Sequence, residues 1–201
     1  VPQNYLNVLK KTENESTAKK TKTTKTIHGI EKQTTKETAD QIQQGIAKEI
    51  LRFHVLANSD SEEDQKLKLE VKDRLVDYMK DILDGAEDVK ETKKRITENR
   101  ETICLVAEQE IQKQGYTYPV SVNLEKCYFP MKTYGDCTFP AGIYEALRVC
   151  IGKAKGRNWW CVLYPGLCFA DSVNVIVPDE KKQELKNILT EEEYESLFDW
   201  R

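Results

Sequence analysis

Residues 134–169, YGDCTFPAGIYEALRVCIGKAKGRNWWCVLYPGLCF, hold Cys137, Cys150, Cys161 and Cys168, four of the six cysteines, and two of the three tryptophans. Ile143, Leu147, Cys150 and Ile151 recur at i, i+4, i+7 and i+8, which predicts a short central helix. Pro140-Ala141-Gly142 turns the chain into it, and Gly152 and Gly156 stand where a helix ends. Trp159 to Tyr164 is apolar and aromatic, as a strand would be, and Pro165-Gly166 turns the chain again. No motif here announces a reaction. The stretch reads as part of a small α/β fold stapled by disulfides.

Upstream, Leu51, Phe53, Val55 and Ala57 alternate with Arg52, His54 and Leu56, the pattern of a strand over 50–57. Asn58-Ser59-Asp60-Ser61 follows, with Ser59…Glu62 and Ser61…Asp64 both spaced as helix caps. Leu67, Val71, Leu75, Met79 and Ile82 then make the buried stripe of a long helix ending at Gly85. A second long helix is expected from Asp88 to Gln114, with Ile96, Ile103, Ala107 and Ile111 inward and Cys104 beside them. Val120, Val122 and Leu124 alternate with polar residues, predicting a strand over 118–126. A loop over 127–137, strands over 158–164 and 172–177, and a closing helix over 181–198 complete the expectation. In that last helix Glu191, Glu192 and Glu193 sit late, where acids oppose the helix dipole, so fraying is expected there.

Before all this, residues 1–9 hold a short apolar patch of Tyr5, Leu6, Val8 and Leu9, and over 10–38 Lys, Thr, Glu and Ser dominate, with almost nothing to bury. Residues 1–39 are therefore expected to be a disordered Thr/Lys-rich arm, and 40–201 a single α/β domain with a small mixed sheet packed by several helices. Eight lysines against five acids fall in 1–40, and 23 basic against 29 acidic side chains in the rest. An acidic folded part argues against nucleic acid as partner. No apolar run reaches the roughly 18–20 residues of a membrane span. Val1-Pro-Gln-Asn-Tyr is not the start of an export signal, which fits a trimmed chain.

No cysteine pair has metal-site spacing, and the two histidines, His28 and His54, lie far from any cysteine in sequence. Neither metal nor cofactor is expected. Disulfides are, and of the 15 connectivities possible for six cysteines local geometry favours three pairs. Cys127–Cys137 would close a loop, Cys161–Cys168 would clip a strand to the following turn, and Cys104–Cys150 would pin two helices together. An enzyme would need a base, and only His54 is at hand in the folded part. A cysteine nucleophile facing it, or a His54–Glu145 acid–base couple, is the alternative to a binding protein. For binding, Arg52, His54, Tyr144, Arg148, Arg157, Trp159 and Trp160 are the candidate contacts, because arginines and aromatics anchor interfaces. Adjacent Trp159 and Trp160 cannot both point inward on one strand.

The segments LRFHVLANSDSEEDQKLKLEVKDRL (51–75) and FPAGIYEALRVCIGKAKGRNWWCVLYPGLCF (139–169) resemble the stage II sporulation protein R family of endospore-forming bacteria. The resemblance covers about residues 40–175. It implies a secreted signalling protein, made in the forespore and exported into the space between the forespore and mother-cell membranes. There it would activate a membrane-embedded aspartic protease of the mother cell, which processes the pro-form of sigma-E. It brings no catalytic residues. Family members begin with a hydrophobic export segment, so membrane proximity is implied through a segment missing here.

Overall fold

The computed structural model describes residues 38–169 and 176–199. The described residues from Ile42 onward form one compact unit. A helix over 38–49 (α1) leads into β1 (Leu51–Leu56), whose six residues are all buried. Ser61 caps the long helix α2 (Glu62–Leu83) through its hydroxyl, which accepts from the Asp64 N–H at 3.2 Å. The expected second long helix is two helices, α3 (Val89–Glu98) and α4 (Arg100–Lys113), broken at Asn99. Asn99 leaves helical geometry, bonds back to the Arg95 carbonyl through its side chain, and accepts from the Tyr78 hydroxyl on α2. A short polar side chain competes here with the helix for backbone partners.

Four strands make the main sheet in the order β2-β5-β1-β6: β2 (Val120–Phe129), β5 (Gly142–Ile151) and β6 (Asn158–Tyr164) join β1. β5 runs parallel to β1 and antiparallel to β2, and β6 runs antiparallel to β1. A hairpin of β3 (Lys132–Tyr134) and β4 (Cys137–Phe139) occupies part of the expected 127–137 loop. A single 3-10 turn, Leu167–Phe169, follows β6, and helices α5 (Asp179–Ile188) and α6 (Glu191–Ser196) close the described chain.

The central helix expected over 143–151 is β5. Leu147, Val149 and Ile151 enter one core while Tyr144 and Ala146 enter the other, a period of two. The helical spacing ignored Val149 and the Tyr-Glu-Ala alternation. Pairing on both edges, to β1 and β2, decided the matter. The closing helix also breaks. Thr190 forms a complete capping box with Glu193, so Glu191–Glu193 open a new helix and favour its dipole. Of the expected strand over 172–177, residues 172–175 lie outside the described residues, as does the arm over 1–37. Ile176 and Val177 are not in a strand.

One face of the sheet, carrying Leu51, Phe53, Val55, Val122, Leu147 and Val149, packs on Leu67, Val71, Leu75 and Met79 of α2 and Ile103 and Ala107 of α4. The other face packs Tyr144, Ala146 and Val162 with Ile46 of α1, Phe129, Phe139, Leu185 of α5 and Leu197. No disulfide joins any of the six cysteines in this structure. Cys104 sits on α4, its thiol 3.7 Å from the Val120 carbonyl on the first face. Cys150 lies two and four positions after Arg148 and Ala146 on β5, on the second face. With the sheet between them, the expected Cys104–Cys150 bridge has no path. That expectation followed from reading β5 as a helix.

Candidate interaction surface

β1 and β5 pair only over Arg52–Leu56 and Ala146–Cys150, so β5 before Ala146 and β2 beyond Glu125 continue as a two-stranded ribbon. Such ribbons twist strongly. This one curls across the second face. By register Phe129 is level with Gly142, well beyond β1, yet its ring centroid lies 5.1 Å from that of His54 and 4.8 Å from that of Trp160. Cys127, two residues earlier, brings its Sγ within 3.5 Å of His54 Nε2.

Beneath the ribbon lies Arg52, fully buried. Its guanidinium carbon is 4.5 Å from the Phe129 ring centroid, 5.1 Å from Tyr144, 5.3 Å from Phe139 and 5.7 Å from Tyr134. Nη2 donates to the Tyr134 hydroxyl at 3.1 Å, while Nε and Nη1 have no acceptor. Aromatic faces thus offset part of the cost of burying this cation. The β3–β4 hairpin supplies two of the four rings, so the buried charge ties ribbon, hairpin and sheet together.

His54 stacks on Trp160 with centroids 5.1 Å apart and planes at 17°. Burial, helped by the Arg148 charge, lowers its pKa to about 4, so the ring is neutral at neutral pH. Burial likewise pushes the Cys127 thiol up. The two form a neutral contact, the reverse of a thiolate–imidazolium pair. Glu145 cannot serve His54 as an acid–base partner. It projects from the opposite face of β5 and is paired with Lys93 of α3 at 2.7 Å. Among the described residues no cluster of three or more His, Cys, Asp or Glu is placed to hold a metal.

The seven candidate contacts therefore separate. Arg52, His54 and Tyr144 are buried, at 0%, 3% and 1% exposure, and shape the surface from below without reaching a partner. Their strand positions alternate inward under the curled ribbon, which sequence alone does not reveal. Trp159 and Trp160 leave β6 on opposite faces: Trp159 meets Phe53 edge-on at 5.4 Å, and Trp160 covers His54. Arg148 is half-exposed beside Trp160's side of the sheet and pairs with Glu125 at 2.7 Å. Arg157 is exposed near Asp60, at 3.5 Å. Arg148 and Trp160 share one surface; Arg157 and Trp159 lie outside it.

Arg157 belongs to a second construction. From Gly152 to Arg157 every backbone N–H is tied inward: to the carbonyls of Pro119, Ile151, Asn58 and Ala57, and to the side chains of Asn58 and Asp60. Ala154 is held there at φ 50°, left-handed backbone for a non-glycine residue. Asn58 and Ser59 are fixed in turn by the buried Asp64, at 2.8 and 2.5 Å. Burial alone would raise the Asp64 pKa, but those donors outweigh it and hold the carboxyl below its ordinary range. The Asn-Ser-Asp turn and the Gly-Lys-Ala-Lys-Gly-Arg turn are one interlocked unit.

The family model described as stage II sporulation protein R matches residues 47–174. The stage II sporulation protein R of Bacillus subtilis (strain 168) is 33% identical over 174 residues, covering 84% of this chain and 76% of that relative. No solved structure matches the chain.

Proposed function

Because the chain belongs to the stage II sporulation protein R family, we propose that it switches on a membrane-embedded aspartic protease of the mother cell, leading to processing of the pro-form of sigma-E. Its role is that of an extracytoplasmic sporulation signalling protein working through protein contact and not through catalysis. The place of contact is the space between forespore and mother-cell membranes. The observation that carries the non-catalytic reading is the state of His54: buried, neutral, stacked under Trp160 and separated from Glu145 by the sheet. The half-exposed Arg148 with Trp160 supplies a charged and an aromatic anchor on a rigid base. A contact of this kind activates only by favouring the active arrangement of the protease.

The test is reconstitution of the purified protein with the membrane protease and its pro-sigma substrate, reading cleavage. Arg148→Glu and Trp160→Ala should each reduce activation about tenfold in a folded protein. Arg148→Glu combined with Glu125→Arg restores the ion pair and should leave activation low. Unchanged activation in all three would place the contact elsewhere. A folded His54→Gln protein that still activates cleavage would remove the enzyme reading.

A further inference from the structure

The described residues expose six large hydrophobic side chains, and three of them, Tyr128, Met131 and Ile143, fall in one short region. Tyr128 and Ile143 are direct cross-strand partners near the end of the β2–β5 ribbon, exposed to 60% and 53%. Met131 follows three residues after Tyr128, exposed to 54%. The neighbours alternate as a strand requires: Cys127 and Phe129 face inward over His54 and Arg52, and Tyr128 faces out. Since the ribbon curls over the sheet, its outer side is convex.

The charges at this place are one-sided. Between residues 120 and 145 the acids are Glu125, Asp136 and Glu145, and each is held by a cation of the fold: Arg148, Lys182 and Lys93. Lys126 and Lys132 have no ion-pair partner among the described residues; Lys132 extends over the Trp160 ring at 5.9 Å from its centroid. The ribbon end therefore presents a tyrosine, an isoleucine and a methionine beside two lysines outside any ion pair among the described residues, Lys126 exposed and Lys132 half-buried over Trp160, in a folded part that is otherwise net acidic.

We propose that this ribbon end is an interfacial anchor that seats the protein on an anionic lipid bilayer. A convex apolar tip matches a flat, soft surface. A cleft of about 590 Å³ between the end of α2 and α5 is lined by other residues, so the tip is not a small-molecule pocket. Tyrosine suits the headgroup level with its apolar ring and wet hydroxyl, and lysine reaches phosphate while its stem lies on apolar surface. Phe129, clamped against Arg52, His54 and Trp160, holds the tip ready-made. The anchor would orient the domain against the membrane that carries its partner, but it does not depend on the partner's identity.

Vesicle co-sedimentation of the full chain tests this without any protease present. Wild-type protein should partition onto vesicles of phosphatidylcholine with one-third phosphatidylglycerol and hardly onto pure phosphatidylcholine, and 0.5 M salt should weaken the binding, as expected for screening over roughly 4–5 Å. Each lysine near an anionic surface contributes about fivefold, so Lys126→Gln with Lys132→Gln should lower partition roughly 25-fold. Tyr128→Thr with Ile143→Thr, which keeps strand propensity, should lower it about tenfold or more. Leu69→Gln with Leu105→Gln, at exposed helix positions elsewhere, should bind as wild type. Circular dichroism and Tm check that each variant is folded, and the lysine pair remains decisive should the Thr pair not fold. The proposal is overturned by absent binding, by equal binding to both vesicle types, or by equal loss in the Leu69/Leu105 control. It is overturned as well if folded tip variants keep vesicle binding but lose protease activation, which would make the tip a protein contact.

Discussion

His54 links burial to a measurable pH dependence. Its pKa falls from 6.5 to about 4 on folding, because burial and then the Arg148 charge disfavour the imidazolium. Between those values the unfolded chain binds the proton and the folded one does not, so stability falls as the pH drops from about 6.5 toward 4. The loss is at most about 3 kcal/mol. Asp64 and Asp136, whose hydrogen-bond donors outweigh the effect of burial and hold them below the ordinary carboxylate range, release their stabilisation only at lower pH. Urea unfolding across pH 4 to 7 should show the decline, and His54→Gln should flatten it; an unchanged slope in that variant would assign the effect elsewhere. Arg52 illustrates a different residue-scale rule: a buried cation without a carboxylate is accommodated by four aromatic rings drawn from separate strands.

Among the elements, the turn over 152–157 depends on close backbone approach. A Cβ on Gly156 would lie 2.1 Å from the Ser59 carbonyl oxygen, so Gly156→Ala must part the two interlocked turns. The expected cost is about 2–4 kcal/mol, as for other changes that break a buried network. Gly85→Ala, at φ 68° with open space around it, should cost only about 1–2 kcal/mol of backbone strain. Denaturant midpoints for the two variants check the order; equal costs would mean that the interlock yields freely. α2 was legible because Ser61 caps it and its stripe keeps one period. β1 was legible by alternation, and β6 by its aromatic run between turns. β5 was not, because its apolar positions fit two periods and the choice was made by β1 and β2, its neighbours on either side. The break at Thr190 was available in the sequence, since Thr190-Glu-Glu-Glu193 has capping-box spacing.

At the scale of the molecule, the sheet decides which cysteines can meet. Cys104 and Cys150 are on opposite faces, whereas the Cys168 thiol hydrogen-bonds with that of Cys161 and also reaches the Val162 carbonyl at 3.0 Å. Oxidation should therefore link Cys161 to Cys168 and leave Cys104 without Cys150. Closing so short a loop is worth about 2.5 kcal/mol by chain entropy. Peptide mapping of the air-oxidised, unreduced protein decides this; a Cys104–Cys150 peptide would be incompatible with the sheet order.

Local information was enough for what depends on neighbours along the chain: the capped long helix, two of the four sheet strands nearly to the residue, and the turn at Asn58–Ser61, whereas Gly152 and Gly156 were read as the end of a helix that is a strand. The two segments that carry the family resemblance were visible for the same reason. Which side chains form a surface was settled only in three dimensions. Arg52, His54 and Tyr144 look like anchors in one dimension, yet the ribbon curls over them. Tyr128 and Ile143 looked unremarkable until cross-strand register set them side by side on its outer face. The physical reason is that exposure on a strand depends on pairing and on coiling, and both are properties of partners distant in sequence.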